Sequence, residues 1–221
     1  MTTFPDAPIS SQAFMEDFIP AFFNAVEVPP ENHDVDLKVG VVLKPAEGGE
    51  PDPGGAWTLH FASGALAVAR DREEACEITV VQNLADWRAA LWEGRPALVA
   101  DGVSALREGG ADALAPPEAG APRTPAEIKG FSDIQGLIEL VISDPAASDW
   151  RMGIRVGAGP IPEEPQATIL LGAEQAELIR VGDLHPLEAL MSGQLRLEGD
   201  LGLILQLQAV AMTASAAAGG R

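Results

Sequence analysis

Between Arg107 and Pro125 the chain reads "REGGADALAPPEAGAPRTP", with four prolines and no apolar period. Proline lacks a backbone donor, and glycine loses the most entropy on ordering, so no helix or strand is expected there. The segment reads as a linker or long loop. It divides the 221 residues into two stretches, each of ordinary domain size.

The first stretch opens with a helix capped by Ser10 or Ser11, in which Phe14, Phe18 and Phe22 recur every four residues. Pro20 is expected to kink or interrupt that helix. Strands are expected over Val35–Leu43, Trp57–Phe61, Ala65–Ala69 and Glu77–Val81, with a hairpin at Ser63-Gly64. "NLADWRAALWEG" then reads as a helix ending at Gly94.

The order of elements recurs past the linker. Leu137–Ile142, Trp150–Val156 and Ala167–Leu171 read as strands, Ala173–Val181 as a helix, and "DLHPLEALM" as a second helix with Pro186 in its first turn. Trp57 lies 21 residues before Ile78, and Trp150 lies 19 before Ile169, which suggests a weak internal repeat.

Composition narrows the function. The net charge is -19, from 33 acidic and 14 basic residues. Nucleic-acid binding needs clustered Lys and Arg, so that partner is excluded. No run reaches the roughly 18 apolar residues of a membrane span. The first Lys or Arg is Lys38, so a leader peptide is not expected. Cys76 stands alone and allows no internal disulfide, which fits a cytoplasmic protein.

Catalytic patterns are missing from the sequence. "GAGP" at Gly157–Pro160 lacks the third glycine of a dinucleotide fingerprint, and the adjacent Glu73 and Glu74 point opposite ways on an extended chain. "ENHDVD" gathers Glu31, His33, Asp34 and Asp36, which reads as a solvated loop rather than a metal site. No cofactor, metal or catalytic residue is therefore assigned.

The most apolar stretch is "ALMSGQLRLEGDLGLILQLQAV", from Ala189 to Val210. With the residues before it, it resembles the C-terminal half of the sterol carrier protein type-two family. The resemblance rests on Leu184, Pro186, Ala189, Met191, Gly193, Leu195, Leu197, Gly199 and Asp200. Gln194 replaces the basic residue usual in that family, His185 the usual acid or amide, and Leu190 stands where Phe is common.

The resemblance implies an α+β fold: a twisted, mostly antiparallel sheet covered by helices on one side. It also implies that the strand ends at Gly199 and that Asp200 caps a following helix. Two tandem units are expected, at 9–107 and 126–215 with a linker at 108–125. The alternative is one unit with a long insertion at about 107–149.

The function implied is non-catalytic binding or transfer of an apolar lipid (a sterol, fatty acid or acyl compound) in an internal cavity, with transient membrane contact and no assigned protein partner. The implied lining from the first helix is Phe14, Phe18 and Phe22. From the second half it is Trp150, Met152, Leu178, Leu190 and Met191, then Leu195, Leu197, Leu203, Ile204 and Leu207. Two competing readings are an accessory protein with a closed core and an enzyme acting on a lipid-like substrate.

Overall fold

In a computed structural model, residues 3–25, 28, 30, 33–46, 51–109, 135–200 and 202–206 are described. The linker expected at 108–125 falls almost wholly outside them, as do Leu207 and the cluster residue Glu31.

Among the described residues, eight strands form one mixed sheet: β1 Asp36–Lys44, β2 Gly55–Ala62, β3 Ala65–Arg70, β4 Ile78–Asn83, β5 Gly136–Ser143, β6 Trp150–Val156, β7 Ala167–Gly172 and β8 Leu195–Gly199. Their order is β3-β2-β1-β4-β6-β5-β7-β8. Only β1–β4 and β5–β7 pair in parallel; the other neighbours are antiparallel. The fold is α+β, as the sequence suggests.

The first helix, α1, is built from Ser11–Ala13, a π-helical turn at Phe14–Phe18, and Ile19–Phe23. Ser10 caps it by accepting from the backbone of Ala13 at 3.1 Å. The expected interruption at Pro20 takes the form of that wide turn: Ile19 N–H bonds back to Phe14, five residues away, and Pro20 has no donor to contribute.

At the β2–β3 hairpin, Ser63 and Gly64 both have positive φ, 51° and 72°. Two positive values are what a two-residue turn needs to match the right-handed twist of its strands.

Helix α2 comprises Leu84–Arg88 and a π-helical turn at Ala89–Glu93. Helix α3, Ala97–Gly109, is an element the sequence reading passed over. Its signals were present: Pro96 before it, and Leu98, Val99, Val103 and Leu106 at helical spacing. The glycine and acid content in and after it hid them, with Asp101-Gly102 in its middle. Arg107, read as the first linker residue, lies in this helix. Helices α4 (Ala173–Val181), α5 (Pro186–Met191) and α6 (202–206) complete the described elements.

Each half repeats one pairing scheme. β1 pairs antiparallel with β2 and parallel with β4; β5 pairs antiparallel with β6 and parallel with β7. Lys44 pairs with Asn83 just before α2, and Ser143 pairs with Gly172 just before α4. Aligned on those pairs, Ile78 matches Ala167 rather than Ile169. Trp57, opposite Val41, matches Met152, opposite Leu140. The two tryptophans are therefore offset by two residues. Such a shift keeps a side chain on the same face of a strand, so both indoles point to the helix side.

Candidate functional site

The register defines three transverse rows on the helix-covered face of the second half. The first is Trp150, Ile142, Leu171 and Leu195; the second is Met152, Leu140, Ile169 and Leu197; the third is Ile154, Ile138, Ala167 and Gly199. Rows lie about 7 Å apart, and four strands span about 14 Å.

Helices close the outer two rows differently. Trp150, Ile142 and Leu171 are buried in a cluster with Ala89, Ala90 and Ala176, against which Leu98, Val99, Ala173 and Ile179 pack. Ile138 and Ala167 are buried with Leu203 and Ile204 of α6. The middle row, all Met, Leu or Ile, is half-buried at all four positions. An apolar strip with closed apolar clusters on both sides is the feature of this fold suited to an apolar ligand.

The structure separates the residues expected to line one cavity. Trp150, Met152, Leu195, Leu197, Leu203 and Ile204 come together on this face. Leu178 and Leu190 are half-buried on α4 and α5, and Met191 is 82% exposed. Met191, His185, Glu188 and Ser192 line an open cavity of about 550 Å³ on the outer side of α5.

Phe14, Phe18 and Phe22 sit elsewhere, in the first-half core with Phe4, Leu43, Trp57, Leu84 and Trp87. Their rings are in direct contact: Phe14–Phe18 centroids are 5.0 Å apart, Phe18–Phe22 5.2 Å and Phe14–Trp87 5.2 Å. Trp57, the match of Met152, is fully buried and lies over Gly55, where any added Cβ would be 2.6 Å from its ring. The first half thus fills with aromatic rings the space that the second half lines with a half-buried strip.

Asp200 caps α6 as expected, accepting from the backbone of Gly202 at 2.7 Å and Leu203 at 3.2 Å. Its own N–H bonds to Gln166 O at 2.8 Å, which holds α6 over the third row. On the first-row side, Trp150 donates its indole N–H to Asp86 O at 2.8 Å. Asp86 is buried, and that burial raises its carboxyl pKa, opposed by the hydrogen bond from Asn83.

The opposite face mixes charged side chains with the buried Leu137, Val141 and Val81. Arg155 is 6% exposed and donates to the carbonyls of Val156, Ala158 and Pro160. "GAGP" is therefore a carbonyl cage around a guanidinium, with Gly157 and Gly159 at positive φ turning those carbonyls inward. Burial and the neighbouring Arg72 lower the Arg155 pKa. Asp36 of the acidic cluster contacts His60 at 2.7 Å, whereas His33 contacts Val28 O. Cys76 is wholly buried beside Thr58.

Residues 123–212 match the family model described as the SCP-2 sterol transfer family. Hydroxysteroid dehydrogenase-like protein 2 of Xenopus tropicalis is 30% identical over 81 residues, which cover 34% of this chain and 19% of that protein. Its Xenopus laevis counterpart is 28% identical over the same length. The chain thus spans about a fifth of the curated relatives it matches. Among solved structures, sterol carrier protein 2 like 2 from Aedes aegypti is 23% identical over 41% of this chain and 79% of that one, with a TM-score of 0.27. The sterol carrier protein domain 2 of Helicoverpa armigera is 18% identical over 45% and 80%, with a TM-score of 0.32. The family likeness read from Leu184 to Asp200 thus extends over the second half, β5 to α6.

Proposed function

We propose that the second half binds an apolar lipid, a sterol, fatty acid or acyl compound, and carries it without chemical change. The supporting observation is the half-buried strip Met152–Leu140–Ile169–Leu197, which lies inside the stretch matching the family model. Those four side chains offer no acid, base or nucleophile, which favours binding over catalysis. In this reading the chain comprises two sterol-carrier-like units, at 9–107 and 126–215. The second holds the ligand. The first, with its aromatic core, is an accessory unit of closed interior. A cytoplasmic location suits the buried thiol of Cys76.

Burying about a dozen methylenes at ~0.8 kcal/mol each gives ~10 kcal/mol gross. Association costs of at least ~4 kcal/mol leave ~6 kcal/mol, a dissociation constant of tens of micromolar. Titration with a pyrene-labelled fatty acid and with a fluorescent sterol tests the reading. Saturable binding of either, displaced by its unlabelled counterpart, is expected. Saturation by neither overturns the proposal.

A further inference from the structure

We infer that the first half forms one wall of the second half's lipid site, and that Ala89, Ala90 and Val99 set the length of linear acyl chain the site accepts. The inference rests on the binding reading above and extends it to residues outside the family-matched stretch, which begins at residue 123.

Helix α2 has two apolar sides. Leu84, Trp87, Leu91 and Trp92 pack in the first-half core. Ala89 and Ala90, 3% and 9% exposed, join the second-half cluster of Ile142, Trp150, Leu171 and Ala176. Leu98 and Val99 of α3 pack on that same cluster, beside Ile179 of α4. Leu140 and Met152, half the strip, pack against it too. Half of the strip and these first-half side chains therefore pack on one cluster.

The wall is held in place from both directions. Trp150 Nε1 donates to Asp86 O at 2.8 Å, and Gln82 Nε2 donates to Arg151 O at 3.0 Å. The antiparallel β4–β6 ladder joins the strands behind these contacts. A wall fixed by hydrogen bonds and close packing cannot retreat from a longer ligand without loss. Three of its side chains at the contact, Ala89, Ala90 and Val99, are small. Added bulk there must take space from the ligand or from its floor.

The test measures dissociation constants of the full chain for decanoate, dodecanoate, myristate, palmitate and stearate, by displacement of a pyrene-labelled fatty acid. Ala90→Leu adds three carbons. If they exclude three methylenes, stearate affinity should fall about 50-fold relative to dodecanoate, at roughly fourfold per methylene. Val99→Ala removes two carbons and should favour the longer acids by about tenfold. Ala67→Leu, on the exposed side of β3, should leave the profile of wild type. If Ala90→Leu does not fold, the direction of the Val99→Ala shift decides. Wild-type binding with profiles unchanged in these variants overturns the inference and leaves the proposed function standing. Absence of acyl binding by wild type overturns the inference, and overturns the proposed function too only if the fluorescent sterol also fails to bind.

Discussion

Trp150→Phe probes the junction between the halves. The indole is 4% exposed, packs with Ala89 and Ala90 across the junction, and donates to Asp86 O at 2.8 Å. Phenylalanine keeps an aromatic ring but loses the donor and part of the volume. Asp86 O also accepts from the backbone of Ala89, so it keeps a partner when the indole is lost. That places the hydrogen-bond cost near the low end, ~1 kcal/mol. The smaller ring adds a transfer and cavity cost of ~1–3 kcal/mol. The sum is ~2–4 kcal/mol. At about 2–4 °C per kcal/mol for a chain of this size, Tm should fall by roughly 5–15 °C. Scanning calorimetry is the assay. Wild type should melt in one transition, because the β4–β6 ladder and a shared cluster couple the halves. A variant Tm within about 2 °C of wild type would refute the packing argument. A wild-type trace with two transitions, only one of them moved by the substitution, would show that the halves melt independently.

Three further outcomes are expected. Leu197→Asp puts a carboxylate in the half-buried strip on an edge strand; it should cost ~2–3 kcal/mol and weaken acyl binding, while Arg196→Ala, exposed on the other face, stays within ~0.5 kcal/mol. Equal melting temperatures for wild type and Leu197→Asp would show that β8 is misregistered. Burial raises the folded pKa of Asp86, so its ionised form costs stability above that pKa, and the cost fades as pH falls through it toward the unfolded value. Asp86→Asn should therefore gain most over wild type at neutral pH and lose that advantage in acid; urea melts showing a pH-independent difference would contradict this. If lipid is delivered by collision, the -19 charge should slow transfer to anionic vesicles relative to neutral ones, less so as salt shortens the screening length from about 30 Å at 0.01 M to about 8 Å at 0.15 M. A rate indifferent to both lipid charge and salt would exclude collision.

The second half was legible because its signals are local. Ala173–Val181 and Pro186–Met191 carry their own periodicity and stops, and the alternation of Leu195 and Leu197 fixes the inward face of β8. Asp200 sits where a cap belongs, and it caps. What stayed hidden depends on distant pairing. No residue near Ile78 announces that its strand pairs with Val156 across the linker. The two-residue offset of the tryptophans follows from which residue each faces in β1 or β5, which linear spacing cannot supply. Phe14, Phe18 and Phe22 look the same in sequence whether they line a cavity or fill a core. Trp57 and Trp87 decide between the two by occupying the space.

The repeated scheme also bears on the two edges of the sheet among the described residues. β2-β1-β4 and β6-β5-β7 follow one another with the same senses of pairing, so β4 stands against β6 as β3 stands against β2. At the far end, β8 stands against β7 as β6 stands against β4. A scheme that repeats by translation has no internal reason to close, and its free edges invite further strands. Both edge strands are short, β3 with six residues and β8 with five. Arg70 ends β3, and Arg196 and Glu198 are exposed on β8. Short, charged edges are how natural sheets resist pairing with another chain. In the second half this has a consequence for the strip. Its last member, Leu197, lies on the edge strand itself, while its first, Met152, packs on the cluster that Ala89 and Ala90 join. One end of the apolar strip is thus enclosed by the molecule and the other reaches the sheet's edge. A linear chain bound along it would have a fixed stop at one end and room at the other.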